Sequence, residues 1–203
     1  MSQECDQLEG TLIVPRFLSW VIVASGGVGC LLAAASPASG QTFFELGAGW
    51  SYLAAPVAPQ VGTYGQAVNG RVSIGRTVAP RVRVRFDVLG LQFAQKVQYF
   101  PPCPAPGCTR SYYRTQSDDI VGVIGNGLLD VDRRGIFYLI GGAGVYGAFV
   151  PSAERHLGVS GGAGITLPVR TDLRIFVEAA GHHLFGRTAG PSQFVPITMG
   201  LRY

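Results

Sequence analysis

Thr198-Met199-Gly200-Leu201-Arg202-Tyr203 decides how this chain is read. Counted back through Phe194-Val195-Pro196-Ile197, its residues fall into two sets. Val195, Ile197, Met199, Leu201 and Tyr203 are apolar or aromatic, while Thr198, Gly200 and Arg202 are small or polar. Side chains alternate between the faces of a strand, so this is a ribbon with one greasy side and one polar side.

The same parity recurs upstream. A first strand is expected over Phe43–Ala54, with Phe44, Leu46, Ala48, Trp50 and Tyr52 opposite Glu45, Gly47, Gly49 and Ser51. A second, Gly65–Val78, sets Val68, Val72 and Ile74 against Asn69, Arg71 and Ser73. The third opens with Val82, Val84, Phe86 and Val88 against Arg83, Arg85 and Asp87. It then changes phase, so that Leu91, Phe93, Val97 and Tyr99 carry the apolar face, and a β-bulge at Gly90 is the expected cause. The fourth, Asp119–Val131, is mixed, with Val121, Val123, Leu129 and Val131 on one side and Ile124 and Leu128 on the other. Further strands are expected over Ile136–Val150, Arg155–Val169 and Asp172–Phe185, and the eighth runs from Phe194 to the end. In the seventh, Leu173, Ile175, Val177 and Ala179 oppose Arg174, Phe176, Glu178 and His182.

The connections alternate too. Those after strands two, four and six are tight: Ala79-Pro80, Asp132-Arg133-Arg134-Gly135 and Arg170-Thr171. The others are longer or rich in Pro, Gly and Ser. Eight strands of about ten residues, one apolar face each, and turns that are short at one end only predict an all-β fold. The expected form is an eight-stranded antiparallel up-and-down transmembrane β-barrel over residues 41–203.

Residues 1–40 are expected to be a cleaved secretory signal. Arg16 precedes an apolar run from Trp20 to Ala35, and Ala38-Ser39-Gly40 supplies small residues for cleavage. The run falls short of the ~20 residues of a spanning helix and is broken by glycine and serine. Gly27-Val28-Gly29-Cys30 has glycine where a lipidation motif has leucine.

The 203-residue chain carries a net charge of +4, but Lys96 is its only lysine and the arginines sit at every second position of strands. No basic helix or zinc-like spacing accompanies them, so no nucleic acid is expected as a partner. Gly141-Gly142-Ala143-Gly144 and Gly161-Gly162-Ala163-Gly164 lack a following helix and a Lys-Ser or Lys-Thr, which argues against a nucleotide loop. Glycine there serves curvature and close packing in a narrow barrel. No cofactor or metal is expected.

Glu45, Arg71, Arg83, Arg85, Asp87, Asp130, Arg174 and Glu178 share the polar parity. In an eight-stranded barrel the interior is filled by side chains, so these are expected to pair as a plug. An arginine-lined path for small anions is the competing reading. A lipocalin-like soluble barrel would reverse the faces, and parity alone does not say which face is inside.

Cys103 and Cys108 flank Pro104-Ala105-Pro106-Gly107 in the longest connection, and an oxidising export route makes a disulfide the expected outcome. Arg110, Tyr112, Tyr113 and Arg114 follow, as surface contacts for an extracellular partner or glycan or as an aromatic girdle at the membrane boundary. Glu178, His182 and His183 could form an acid–base set only with a serine beside them. His182 is followed by His183 and Leu184, unlike the His-x-Ser of lipid A deacylases. No catalytic residue is therefore expected, and His182 is expected to hydrogen-bond a luminal carboxylate.

The ending built on Gly200, Leu201 and Tyr203 resembles the terminal signal by which outer-membrane barrels are recognised for assembly. With Tyr138-Leu139-Ile140-Gly141-Gly142-Ala143-Gly144-Val145 and the eight alternating segments, the chain resembles the small outer-membrane β-barrels related to the OmpA transmembrane domain and opacity-type porins. That resemblance implies outer-membrane lipids and the barrel assembly machinery as partners, and a role in envelope integrity, adhesion or limited permeability.

Overall fold

A computed structural model of the chain describes residues 40–54, 63–99, 112–148, 154–187 and 191–203. The expected signal segment falls outside this set apart from Gly40, as do Cys103, Cys108 and Arg110. Eight antiparallel strands close into a barrel: β1 (Thr42–Leu53), β2 (Thr63–Ala79), β3 (Val82–Tyr99), β4 (Tyr112–Asp130), β5 (Phe137–Ala148), β6 (Glu154–Pro168), β7 (Arg174–Leu184) and β8 (Gln193–Arg202). Each strand pairs with its sequence neighbours, and β8 returns to β1 with Glu45 opposite Arg202 and Leu53 opposite Phe194. The Phe44 amide donates to the Tyr203 carbonyl at 2.8 Å, and the Tyr203 amide to the Phe44 carbonyl at 2.9 Å. Closure removes the sheet edges, so a backbone that meets lipid has its polar groups bonded within the barrel.

The apolar parity faces outward. Leu46, Trp50, Phe86, Val123, Leu139, Leu157, Met199 and Leu201 are exposed, up to 67% for Leu157, and they come from six of the eight strands. Arg71, Arg83, Arg85, Asp87, Glu45 and Glu178 are buried within the cylinder. This arrangement is the reverse of a soluble ligand-binding barrel. A continuous exposed apolar band belongs against acyl chains.

Two details differ from the pattern expected of β3 and β4. The β2–β3 register passes through Gly70 opposite Gly90 without interruption, and the irregularities lie at Tyr64/Ala67 and Thr77/Ala79. There is no bulge at Gly90, and Arg83, Arg85, Asp87, Leu89, Leu91 and Phe93 all point inward in one phase. The face stays constant while the chemistry of the interior changes from charged to apolar. Second, the β3–β4 hairpin continues to Tyr99 opposite Tyr112, so Tyr112, Tyr113 and Arg114 belong to strand rather than loop. On the β4 side, Arg114, Thr115, Gln116, Ser117 and Asp118 give this extension no apolar stripe by which to see it.

Inward aromatic rings lie flat over glycines of adjoining strands. A Cβ on Gly122 or Gly158 would come within 2.7 Å of the Tyr146 ring, and one on Gly164 within 2.5 Å of Tyr138. Phe43 covers Gly75 in the same way. Such ring-on-glycine packing fills a narrow lumen while letting the sheet curve. Outward Gly161 differs, since its nearest neighbour to a built Cβ is the Ile140 carbonyl at 3.9 Å. Gly158→Ala is therefore expected to cost about 1–3 kcal/mol of stability by overpacking. Gly161→Ala should stay within about 0.5 kcal/mol of the parent. Urea unfolding of the lipid-refolded barrel, followed by the gel shift between folded and unfolded forms, checks both.

Candidate functional site: a sealed ionic interior and a cationic mouth

Read along β3 from its short-turn end, the interior has distinct levels. At the lowest, the guanidinium of Arg83 lies 5.8 Å from the Phe43 ring centre and 5.0 Å from that of Tyr138. Arg202 approaches the same two rings at 5.0 and 5.4 Å. Both distances suit cation–π attraction. Arg83 also pairs with Asp130.

Above them is a cluster centred on Arg85, which is fully enclosed. Its Nη1 donates to Glu45 Oε2 at 2.9 Å and to Glu178 Oε2 at 2.8 Å. Its Nη2 donates to Asp87 Oδ2 and Glu178 Oε1, each at 2.9 Å. Arg71 donates to Glu178 and, at 3.1 Å, to Glu45. Arg202 Nε donates to Glu45 Oε1 at 2.6 Å. Three guanidinium groups thus face three carboxylates, and the cluster is formally neutral. Neutrality is what makes it tolerable, because an uncompensated charge in so confined an interior is costly. Tyr138 adds a hydrogen bond from its hydroxyl to Glu178 at 3.2 Å.

The next level is uncharged but polar. Asn126 donates to Asp87 at 2.7 Å and accepts from Ser160 at 2.9 Å, while Asn69 links Ser51 and Thr198. Above lies an apolar cap of Leu89, Leu91, Phe93, Ile120, Ile124, Tyr146, Leu184 and Phe194. His182 belongs to this cap: it stacks on Phe194 at 5.1 Å and shares a 2.7 Å hydrogen bond with the Tyr146 hydroxyl. The partner is a phenol and not the expected carboxylate, because Glu178 is already committed to Arg71 and Arg85. Near the Phe93 end, Arg187 donates to Asp118 at 2.8 Å.

Among the described residues the enclosed gap beside Asn126 and Ser160 holds only about 10 Å³, about one water. Arg71, Asp87 and Glu178 line its ionic side. Of the eight charged residues expected to pair inside, the structure brings Glu45, Arg71, Arg83, Arg85, Asp87, Asp130 and Glu178 into ion pairs. Arg174 is not among them: it has the inward parity but sits at the first position of β7, opposite Arg202 and exposed at the mouth. Parity states which face a residue occupies and not its depth. Arg202 and Asn126 were missed as members, although their parity marks both as inward.

The short-turn end opens into a basin of about 490 Å³. All three short turns reach it, through Pro80 and Arg81, through Asp132 to Gly135, and through Thr171 and Asp172. Asp132 shapes the middle one by accepting from the Phe137 amide at 2.7 Å and the Arg134 amide at 3.0 Å. Those bonds favour its ionised form and hold its pKa below the ordinary value, the Phe137 bond most of all.

No family model and no curated protein sequence matches the chain. Among solved structures it is similar to Neisserial surface protein A, with 13% identity over 81% of this chain and 98% of that one, at a TM-score of 0.53. The fold is that of small outer-membrane β-barrels. A de novo designed transmembrane β-barrel also matches, at 12% identity over 80% of this chain and 93% of that one, with a TM-score of 0.40.

Arg85→Met is expected to lower stability by about 3–5 kcal/mol, since Asp87, Glu45 and Glu178 would lose their shared cation. Arg174→Met, outside the plug, should stay within about 0.5 kcal/mol. The same urea unfolding assay separates them. For Asp132, a lowered folded pKa means its contribution is present above the unfolded value and is lost as pH falls through the folded one. The Phe137 amide shift should accordingly titrate with a midpoint below 3.8, and Asp132→Asn should abolish that titration.

Proposed function

We propose that the chain is an outer-membrane protein that stabilises the envelope and presents loops for surface interaction, and that it forms neither a standing pore nor a catalytic centre. The observation carrying this reading is the neutral cluster around Arg85 within a barrel whose apolar residues face outward. A lumen filled with paired charge and capped by apolar rings transmits no solute at rest. Glu178 and His182, the groups most suited to acid–base chemistry, are engaged by arginines and by Tyr146. With the three short turns in the periplasm, the links after β1, β3, β5 and β7 lie outside the cell.

In this reading, residues 1–40 direct export and are removed. The ending at Gly200, Leu201 and Tyr203 is what the assembly machinery recognises; it is also the strand that completes the cylinder against β1. The β3–β4 hairpin is the surface projection, its tip closed by a Cys103–Cys108 bridge and its Arg110, Tyr112, Tyr113 and Arg114 offered to an extracellular protein or glycan. Kinship with the OmpA-like and opacity-type barrels rests on the strand pattern and the glycine-rich β5.

Outer membranes from cells producing the full chain test this. The unheated protein should migrate faster than the boiled form, and the purified barrel should leave planar bilayers at a closed baseline. Recovery in the soluble fraction without detergent, or steady single-channel steps from the parent protein, would contradict it.

A further inference from the structure

The basin at the short-turn mouth has a rim that the plug does not require. Its floor holds Arg83 and Arg202, both more than nine-tenths buried, stacked among Phe43 and Tyr138. Its rim carries Arg81, Arg133, Arg134 and Arg174, all exposed. Asp130 is taken by Arg83, and Asp132 is taken by turn amides. Asp172 is the remaining acidic side chain of the wall. With Arg83 balanced by Asp130 and Arg202 by Glu45, the four rim arginines face Asp132, Asp172 and the Tyr203 carboxylate, an excess of one cation. Like charges gathered around a concavity repel one another unless an anion sits between them.

Arg81 adds an independent sign. It follows Pro80 with φ of 91°, at the turn position where a side chain is strained and glycine is preferred. Its carbonyl accepts from the Asp130 amide at 2.8 Å, and the residue lines the basin. An arginine kept where glycine would be easier costs stability, and the plug draws nothing from it.

We propose that this basin binds a multiply charged phosphate group. Arginine forks match phosphate oxygens two at a time, and the space suits a small ligand of about 300–1,000 Å³ sites. The sealed interior above makes the basin a blind binding site. That the ligand arrives from the periplasm, as a soluble phosphate compound or as an inner-leaflet headgroup, rests on the orientation proposed above; binding itself does not.

The test uses the barrel folded in uncharged maltoside micelles, with arginine Nε–H signals followed by NMR as inorganic pyrophosphate is added. A saturable shift is expected, weakened by salt and about tenfold weaker in the Arg134→Gln/Arg174→Gln double variant. Arg155→Gln, at the opposite end of the barrel, should bind like the parent. A parallel titration with phosphatidylglycerol doped into the micelles separates the sources. A response to both probes marks a headgroup as within reach, and a response to pyrophosphate alone marks a soluble ligand. No saturable response to pyrophosphate, or an equal loss in Arg155→Gln, overturns the proposal. Migration of the same unheated samples reports on the membrane-barrel reading separately.

Discussion

Charge placed inside a lipid-facing cylinder has to cancel, and the rest of this structure follows from that constraint. Lipid on the outside leaves every strand one face for polar side chains, so arginines and carboxylates from β1, β2, β3, β7 and β8 converge on the same narrow space. Arg85 makes their coexistence tolerable by touching Glu45, Asp87 and Glu178 at once. Arg71 and Arg202 complete the balance from the neighbouring strands. Because Glu45 lies opposite Arg202 across the β1–β8 seam, the pair that neutralises the interior also joins the first and last strands.

Packing above and below the cluster divides the work. Below, Phe43 and Tyr138 stack against Arg83 and Arg202 at the floor of the mouth, each ring lying over a glycine that leaves room for it. Above, the cap around Phe93, Tyr146 and Phe194 excludes water from the ionic level, which strengthens the pairs within it. In the proposed reading, the apolar cap and the paired charge beneath it make a plug rather than a conduit.

Much of this was legible in the sequence because a strand repeats every two residues. Parity put Phe44, Leu46 and Met199 on one face and Glu45, Arg85 and Glu178 on the other, and the membrane-barrel expectation turned the first face outward. It also located the three tight turns. It failed where polarity and face part company. Leu91 and Phe93 read as lipid-facing because they are apolar, yet the upper interior is apolar too, so the expected change of phase and the bulge at Gly90 do not exist. Arg174 read as a plug member because its face is right, but depth along the barrel depends on strand tilt and register, which no single strand encodes. The bond between His182 and Tyr146 joins strands far apart in sequence, and its partner follows from which carboxylates were already occupied.

The central claim is that the apolar face meets acyl chains. Nitroxide labels introduced singly at Ala48, Val123, Ala163 and Met199, in the barrel reconstituted into lipid vesicles, measure this through collision with oxygen and with a water-soluble nickel chelate. The expected result is high oxygen and low nickel accessibility at all four positions. Nickel access at these sites equal to that of a label on the exposed turn residue Arg133 would contradict the account.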